Sequence, residues 1–409
     1  MEKVLGIITE YNPFHNGHLY HLNESKKQTN CQYSICVMSG NFTQRGATSI
    51  IDKWSKAKTA IQNGIDLVIE LPTLYSISSA ENFAYGAIKI LDSLNIVTDI
   101  SFGTESNNID LLNNIAHLLL TEPEEFKTFL NEELNKGSSF PKAREIACAK
   151  YLQKDSPENL LLYNNILSSP NNILGIEYLK ALKKLNSNIT PHVINRIESE
   201  HNSLDIKNNI ASSSAIRNII SENQNLEILK KLMPENSYTM LMENFKNGHF
   251  VPDISCFEKE IFYRLRQMST QDIANLAEVN EGLEYKIKTA ANSCNNLNTF
   301  FDIVKSKRFT RTRLQRILLY SLLNITKEDM LLSKNVSPYI HVLGFNTNGQ
   351  NLLSQISKAN PKLKIITSVK KFENTCTDLS LKNILEKDIL ATNIYTLAYT
   401  KDSFANLDY

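Results

Sequence analysis

Between Val4 and Ser101 the chain alternates short apolar runs with longer helical patterns: Val4–Thr9, Gly17–Gln28, Tyr33–Met38, Asp52–Asn63, Leu67–Glu70, Ala80–Leu94 and Ile96–Ser101. Strands separated by helix-length segments pair in parallel through crossovers, so this alternation predicts a doubly wound parallel α/β sheet. Ligands of such sheets bind beyond the carboxyl ends of the strands, and the loops at 10–16, 39–51, 71–79 and 102–106 should therefore converge on one site. A further strand is expected near Ile189–Asn195, before a polar loop and a helix entered at Ser212-Ser213-Ser214. The polar stretch Ser221–Ser237, with Pro234, predicts a boundary between a catalytic domain at 1–225 and a C-terminal domain at 237–409. The second reads as a largely helical α+β domain, with short strands at Tyr339–Leu343 and Leu363–Thr367.

A chain of 409 residues with 42% hydrophobic content can bury two or three cores, which excludes intrinsic disorder. Lys+Arg 44 against Asp+Glu 43 leaves a net charge of +1, so any surface for nucleic acid must be a local patch. Six cysteines without a CxxC pair fit a reducing compartment, and the cytoplasm is the expected location. The apolar run ending at Glu10 is too brief for a signal sequence, and no stretch is long enough to span a membrane.

The first strand runs into Tyr11-Asn12-Pro13-Phe14-His15-Asn16-Gly17-His18, which places two imidazoles at a helix N-terminus on the sheet's carboxyl edge. Unpaired N–H groups and the positive end of the helix dipole favour an anion there, and Gly17 admits close approach. His15 and His18 can donate to an α-phosphate and strengthen as charge builds on its oxygens, which is electrostatic catalysis. His15, His18 and His21, three apart, could instead bind a metal on a helix, or serve as structural histidines. No dedicated metal site is expected, because no Asp, Glu or Cys follows at a matching interval. The segment resembles the HxGH signature of the nucleotidylyltransferase superfamily, whose members transfer AMP from ATP and release pyrophosphate. A partner contact is expected from Ser212-Ser213-Ser214-Ala215-Ile216-Arg217, where hydroxyls cap a helix and Arg217 reaches the β- and γ-phosphates. The loop Gly40-Asn41-Phe42-Thr43-Gln44-Arg45-Gly46 offers Arg45 as a candidate ligand for a small carboxylate or a phosphate, unless it merely pairs with Asp52.

Taken with Asp66-Leu67-Val68-Ile69-Glu70-Leu71-Pro72 and Pro170–Tyr178, these motifs resemble the bacterial tRNA(Met) cytidine acetate ligase family. The resemblance implies a nucleotidylyltransferase-like domain that activates acetate with ATP as acetyl-adenylate. It further implies acetyl transfer to the exocyclic amine of the wobble cytidine of elongator methionine tRNA, with no acetyl-coenzyme A. The ATP site would map to Ile7, Ile8, Thr9, Glu10, Tyr11, Asn12, Pro13, Phe14, His15, Asn16, Gly17, His18, Leu19, Tyr20, Gly103, Asn171, Arg196 and Ile197, with Mg²⁺ accompanying the nucleotide. One departure is Ile197-Glu198-Ser199-Glu200-His201, acidic where small residues are expected.

Lys305, Lys307, Arg308, Arg311, Arg313 and Arg316 form a basic segment suited to tRNA phosphates. Helical periodicity puts Leu314, Ile317, Leu318 and Leu322 on one face and Arg308, Arg313 and Arg316 on the other, with Arg311 near the apolar edge. A solvated amphipathic helix is the plainer alternative. An adenylyltransferase for a small phosphorylated metabolite would use the same histidines without needing a basic second domain. A degenerate RNA-binding protein would need neither histidine. Nothing in the sequence calls for an obligate protein partner.

Overall fold

The computed structural model describes residues 2–154, 160–196, 209–222 and 226–409. Strands β1 (Val4–Thr9), β2 (Tyr33–Ser39), β3 (Leu67–Leu71), β4 (Asp99–Thr104), β5 (Thr190–Asn195), β6 (Tyr339–Phe345) and β7 (Lys364–Ile366) form one sheet in the order β5-β4-β1-β2-β3-β6-β7. All neighbours are parallel except β3 and β6. The central strands β1, β2 and β3 are mainly apolar on both faces because both faces are covered. Val4, Ile35, Val37, Leu67 and Ile69 pack under the helices Ala80–Ser93, Ile109–Thr121 and Pro170–Lys184. Leu5, Ile7, Cys36, Met38 and Val68 pack under Asn16–Thr29 and Lys53–Gln62.

The chain leaves β1 towards β2 and β3, then returns to the other side for β4 and β5. The order thus reverses between β1 and β4, and a crevice opens beyond their carboxyl ends. β4 begins at Asp99, three residues after the expected start at Ile96. The buried Asp99 carboxylate is satisfied by His192 Nε2 at 2.7 Å and by the Thr98 hydroxyl at 2.7 Å.

The expected C-terminal strands are present, but they extend the N-terminal sheet: β6 lies antiparallel against β3 and β7 lies beside β6. The sheet therefore crosses the boundary expected at 221–237. Helices between Glu258 and Tyr395 enclose a further core, which takes in Phe42, Leu74 and Ile77 from the loops after β2 and β3. The helical half is thereby seated on the loops that rim the crevice. No helix of the described residues is long and apolar enough to cross a membrane.

Lys56 fixes the geometry of that rim. Its side chain is 1% exposed, and its ammonium donates to the carbonyls of Glu10 (3.1 Å), Ser39 (2.8 Å) and Gly40 (2.7 Å) and to Ser49 Oγ (2.8 Å). It ties the ends of β1 and β2 to the loop that follows β2. Burial lowers its pKa to about 8, against the pull of Glu10 and Glu70, which still leaves it charged at neutral pH. Lys56→Met strands these acceptors, and we expect a loss of about 3–5 kcal/mol of stability, read from urea unfolding. A loss below about 1 kcal/mol would contradict this role.

Candidate active site

The crevice is a cavity of about 580 Å³ lined by the end of β1, the loop to His18, the ends of β4 and β5, Asn171 and the segment Ile210–Arg217. Its size suits a nucleotide-sized ligand. Tyr11 adopts φ 45°, a left-handed conformation rare for a residue with a side chain, and so turns the chain sharply off β1. Asn12 holds the turn: its Nδ2 donates to the Thr48 carbonyl at 2.9 Å and its Oδ1 accepts from Ile50 N at 2.8 Å.

His15 is the N-cap of the Asn16–Thr29 helix, its Nδ1 accepting from Gly17 N at 3.0 Å. His18 Nδ1 accepts from His15 N at 3.2 Å, and the two rings stack with centroids 3.8 Å apart. Burial lowers the His15 pKa to about 3, reinforced by Arg196 and Arg217. Burial also depresses that of His18, together with His15, Arg196 and His21. Both rings are neutral at physiological pH. Since each Nδ1 is an acceptor, each carries its proton on Nε2. His15 Nε2 meets Ser213 Oγ at 2.9 Å, which leaves the serine hydroxyl free to donate onward.

The motif alone points His15 into open phosphate space. It lines the cavity yet is only 3% exposed, because capping the helix draws its ring inward. With three of the four ring nitrogens of His15 and His18 engaged, a histidine metal site is not what this geometry builds. His21 lies off to the side, with Nε2 3.4 Å from Ser101 Oγ and its pKa lowered to about 4 by burial and Arg196. Among the described residues, the metal-ligand types that converge are Glu70, His341 and Asp408. The Lys53 ammonium fills that space, 2.9 Å from Glu70 and 2.6 Å from Asp408.

Arg217 donates to the Asn12 carbonyl at 3.0 Å and to Ser214 Oγ at 3.0 Å, while Ser212 caps the Ser213–Ser221 helix. The serine-rich motif and the histidine motif, about 200 residues apart in sequence, thus share one cavity. Arg196 donates to Asn171 Oδ1 at 3.0 Å. Above Gly103 a Cβ would stand 3.3 Å from the Arg196 side chain, so the glycine leaves room for that arginine as well as for a ligand. Ile197 lies outside the described residues.

Arg45 is exposed on the cavity rim and does not pair with Asp52, whose oxygens accept from the backbone and hydroxyl of Ser55 at 2.8 and 3.0 Å. The neighbouring Gln44 N donates to Glu10 Oε1 at 2.8 Å. Gly46, at φ +74°, sits so close to the helix Arg311–Leu323 that a Cβ would approach Arg316 N to 2.5 Å. That helix therefore abuts the rim of the cavity.

The basic segment divides. Lys305, Lys307, Arg308 and Arg311 are exposed, with Arg311 stacked over Phe301 at 4.7 Å. Arg316, expected on the solvent face, is 8% exposed and grips the Glu278 carboxylate at 2.9 and 2.7 Å. Arg313 is half-buried and donates to the Glu278 carbonyl at 3.1 and 2.7 Å. Periodicity fails here because the partner comes from another segment, which covers the face that the helical pattern leaves polar.

The sequence gives no separate role to Ser213 or Glu105. Only their positions, beside Arg217 and just past a strand end at the switch point, signal them.

A histidine pair at a helix N-terminus, on the switch point of a parallel sheet and facing a serine–arginine helix, defines a nucleotidyl transferase. The chain matches the family model described as HIGH Nucleotidyl Transferase over residues 2–408. Within that class it belongs to the tRNA(Met) cytidine acetate ligase family. It is 46% identical over 407 residues to the tRNA(Met) cytidine acetate ligase of Thermoanaerobacter sp. (strain X514), covering 99% of this chain and 98% of the relative. To that of Clostridium tetani it is 42% identical over 408 residues, covering 98% and 96%. The fold is similar to Thermotoga maritima TmcAL bound with alpha-thio ATP, with a TM-score of 0.89 at 35% identity over 97% of this chain and 95% of that one. The apo form of the same protein gives a TM-score of 0.91, with the same identity and coverage.

Proposed function

We propose that the chain activates acetate with ATP as acetyl-adenylate and transfers the acetyl group to the exocyclic amine of the wobble cytidine of elongator methionine tRNA, forming N4-acetylcytidine. The observation that carries this reading is the convergence of His15, His18, Arg196 and Arg217 on one cavity whose rim abuts the helix Arg311–Leu323, which follows the exposed Lys305, Lys307 and Arg308 in the chain. The names of the relatives and the ATP analogue bound to the Thermotoga protein point the same way.

The chemistry follows from the groups present. An acetate oxygen attacks the α-phosphorus and pyrophosphate leaves. The Nε2–H of His18 and the Ser213 hydroxyl, which His15 Nε2–H orients, donate to the phosphate oxygens on which charge develops. Arg217 steadies the departing β,γ end, and Arg45 at the rim offers the bidentate fork that suits a small carboxylate. The cytidine amine, a poor nucleophile, then attacks the activated carbonyl; the C–N bond forms, AMP leaves and the amine gives up a proton. Proximity contributes several kcal/mol to both steps.

Both Glu105 oxygens are committed to Asn171 and Asn172 and Glu10 Oε1 accepts from Gln44 N, so Mg²⁺ would be held by the nucleotide's own phosphates, with Glu10 Oε2 the oxygen of this pair left to approach it. A tRNA substrate supports a cytoplasmic location. Pyrophosphate–ATP exchange tests the first half-reaction: exchange should require acetate and proceed without tRNA. Exchange that answers to a phosphorylated metabolite and not to acetate would replace this reading with an adenylyltransferase.

A further inference from the structure

We infer that Glu105 is a positioning residue for the nucleotide, an acceptor-only carboxylate that locks the Asn171 amide in the orientation that holds Arg196. The inference rests on the reading that ATP occupies the cavity. Glu105 follows β4 directly and faces the start of the Pro170–Lys184 helix, whose own N-cap, Ser169, makes no side-chain cap. Glu105 supplies the cap from outside. Its Oε2 accepts from Asn172 N at 2.9 Å, and Oε1 accepts from Asn171 Nδ2 at 2.6 Å. In return, Asn172 Oδ1 accepts from Glu105 N and Ser106 N at 3.0 and 3.1 Å. The strand end and the helix start are clasped in both directions.

An ionised carboxylate has no proton to give, so only the NH₂ end of Asn171 can face it. The Asn171 oxygen must then point the other way, where it accepts from Arg196 at 3.0 Å. Arg196 is exposed to the cavity, and this bond orients a long flexible cation before the ligand arrives. Without it, ordering the guanidinium becomes a cost of binding.

A near-isosteric change should therefore have an unusual outcome. In Glu105→Gln, the new amide keeps its oxygen on Asn172 N and turns its NH₂ towards Asn171. Asn171 must flip, and its own NH₂ then meets Arg196 donor to donor. Adding Asn171→Asp restores the pattern with the original net charge: the introduced glutamine amide donates to one carboxylate oxygen of the introduced aspartate and Arg196 to the other.

The measurement is the affinity of alpha-thio ATP, with the KM for acetate and the melting temperature read in parallel. E105Q should bind the analogue about tenfold more weakly, the size of one charge-assisted hydrogen bond, with the acetate KM within about twofold of the original. E105Q/N171D should return to within about threefold of the unsubstituted chain. A merely structural cap would lower the melting temperature, and the second change would not rescue affinity. Unchanged affinity in E105Q, or no rescue in the double variant, overturns the role of Glu105 alone. Absence of analogue binding by the unsubstituted chain overturns the reading of the cavity as well. Should E105Q fail to fold, the double variant carries the test: affinity within about threefold supports the inference, and a loss of about tenfold or more sinks it.

Discussion

His15→Asn and His18→Gln are each expected to fold and to lower acetate-dependent pyrophosphate exchange by about 10²–10³-fold, the scale of one lost transition-state donor. The replacements are chosen from the structure. His15 caps the Asn16–Thr29 helix through Nδ1, and Asn keeps a capping oxygen at that position. His18 bonds back to the N-cap backbone, which Gln at the third helical position also does. Alanine at either site would remove cap and donor together and confuse stability with chemistry. With these variants the local fold remains while the paired Nε2–H donors are lost. Because both rings are held neutral by burial, the donors act as neutral dipoles, not as acids. Unaltered exchange rates in both variants, at unaltered melting temperature, would remove the phosphate role from the histidine pair.

Replacing Lys305, Lys307 and Arg308 together with Ala is expected to weaken tRNA binding and to flatten its log–log dependence on salt by about three units for duplex contacts, or about two for a single strand. Pyrophosphate exchange without tRNA should persist, since none of the three lines the cavity. Arg313 and Arg316 are left intact because their guanidinium groups hold Glu278, and the loss of Arg316 from a buried pair costs about 3–5 kcal/mol on its own. Arg311 is spared for its stacking on Phe301. Titration of methionine tRNA at several salt concentrations reads the result. An unchanged affinity and slope would move the RNA contact away from this segment.

The legible parts of the molecule are those encoded locally. β1 to β3 are largely buried and so read as mainly apolar runs, and the turn after β1 declares itself through Asn12, Pro13 and the histidines. What escapes is set by partners distant in sequence. The antiparallel join of β6 to β3 leaves no mark in either strand's own pattern. Arg316 reads as a surface cation until Glu278 is brought against it, and nothing in the local pattern announces the His192 that satisfies the buried Asp99. The bond from His15 to Ser213 and the clasp of Glu105 on Asn171 likewise join segments that only the folded chain makes neighbours.

Centrally, one chain is held to couple ATP, acetate and tRNA in a single acetyl transfer. The most direct test incubates the protein with bulk tRNA, ATP and isotopically labelled acetate, and then analyses the released nucleosides by mass spectrometry. The expected result is one labelled product, N4-acetylcytidine, confined to elongator methionine tRNA, dependent on ATP and indifferent to acetyl-coenzyme A. Labelled acetate that never enters cytidine, while the protein adenylylates another small molecule, would contradict it.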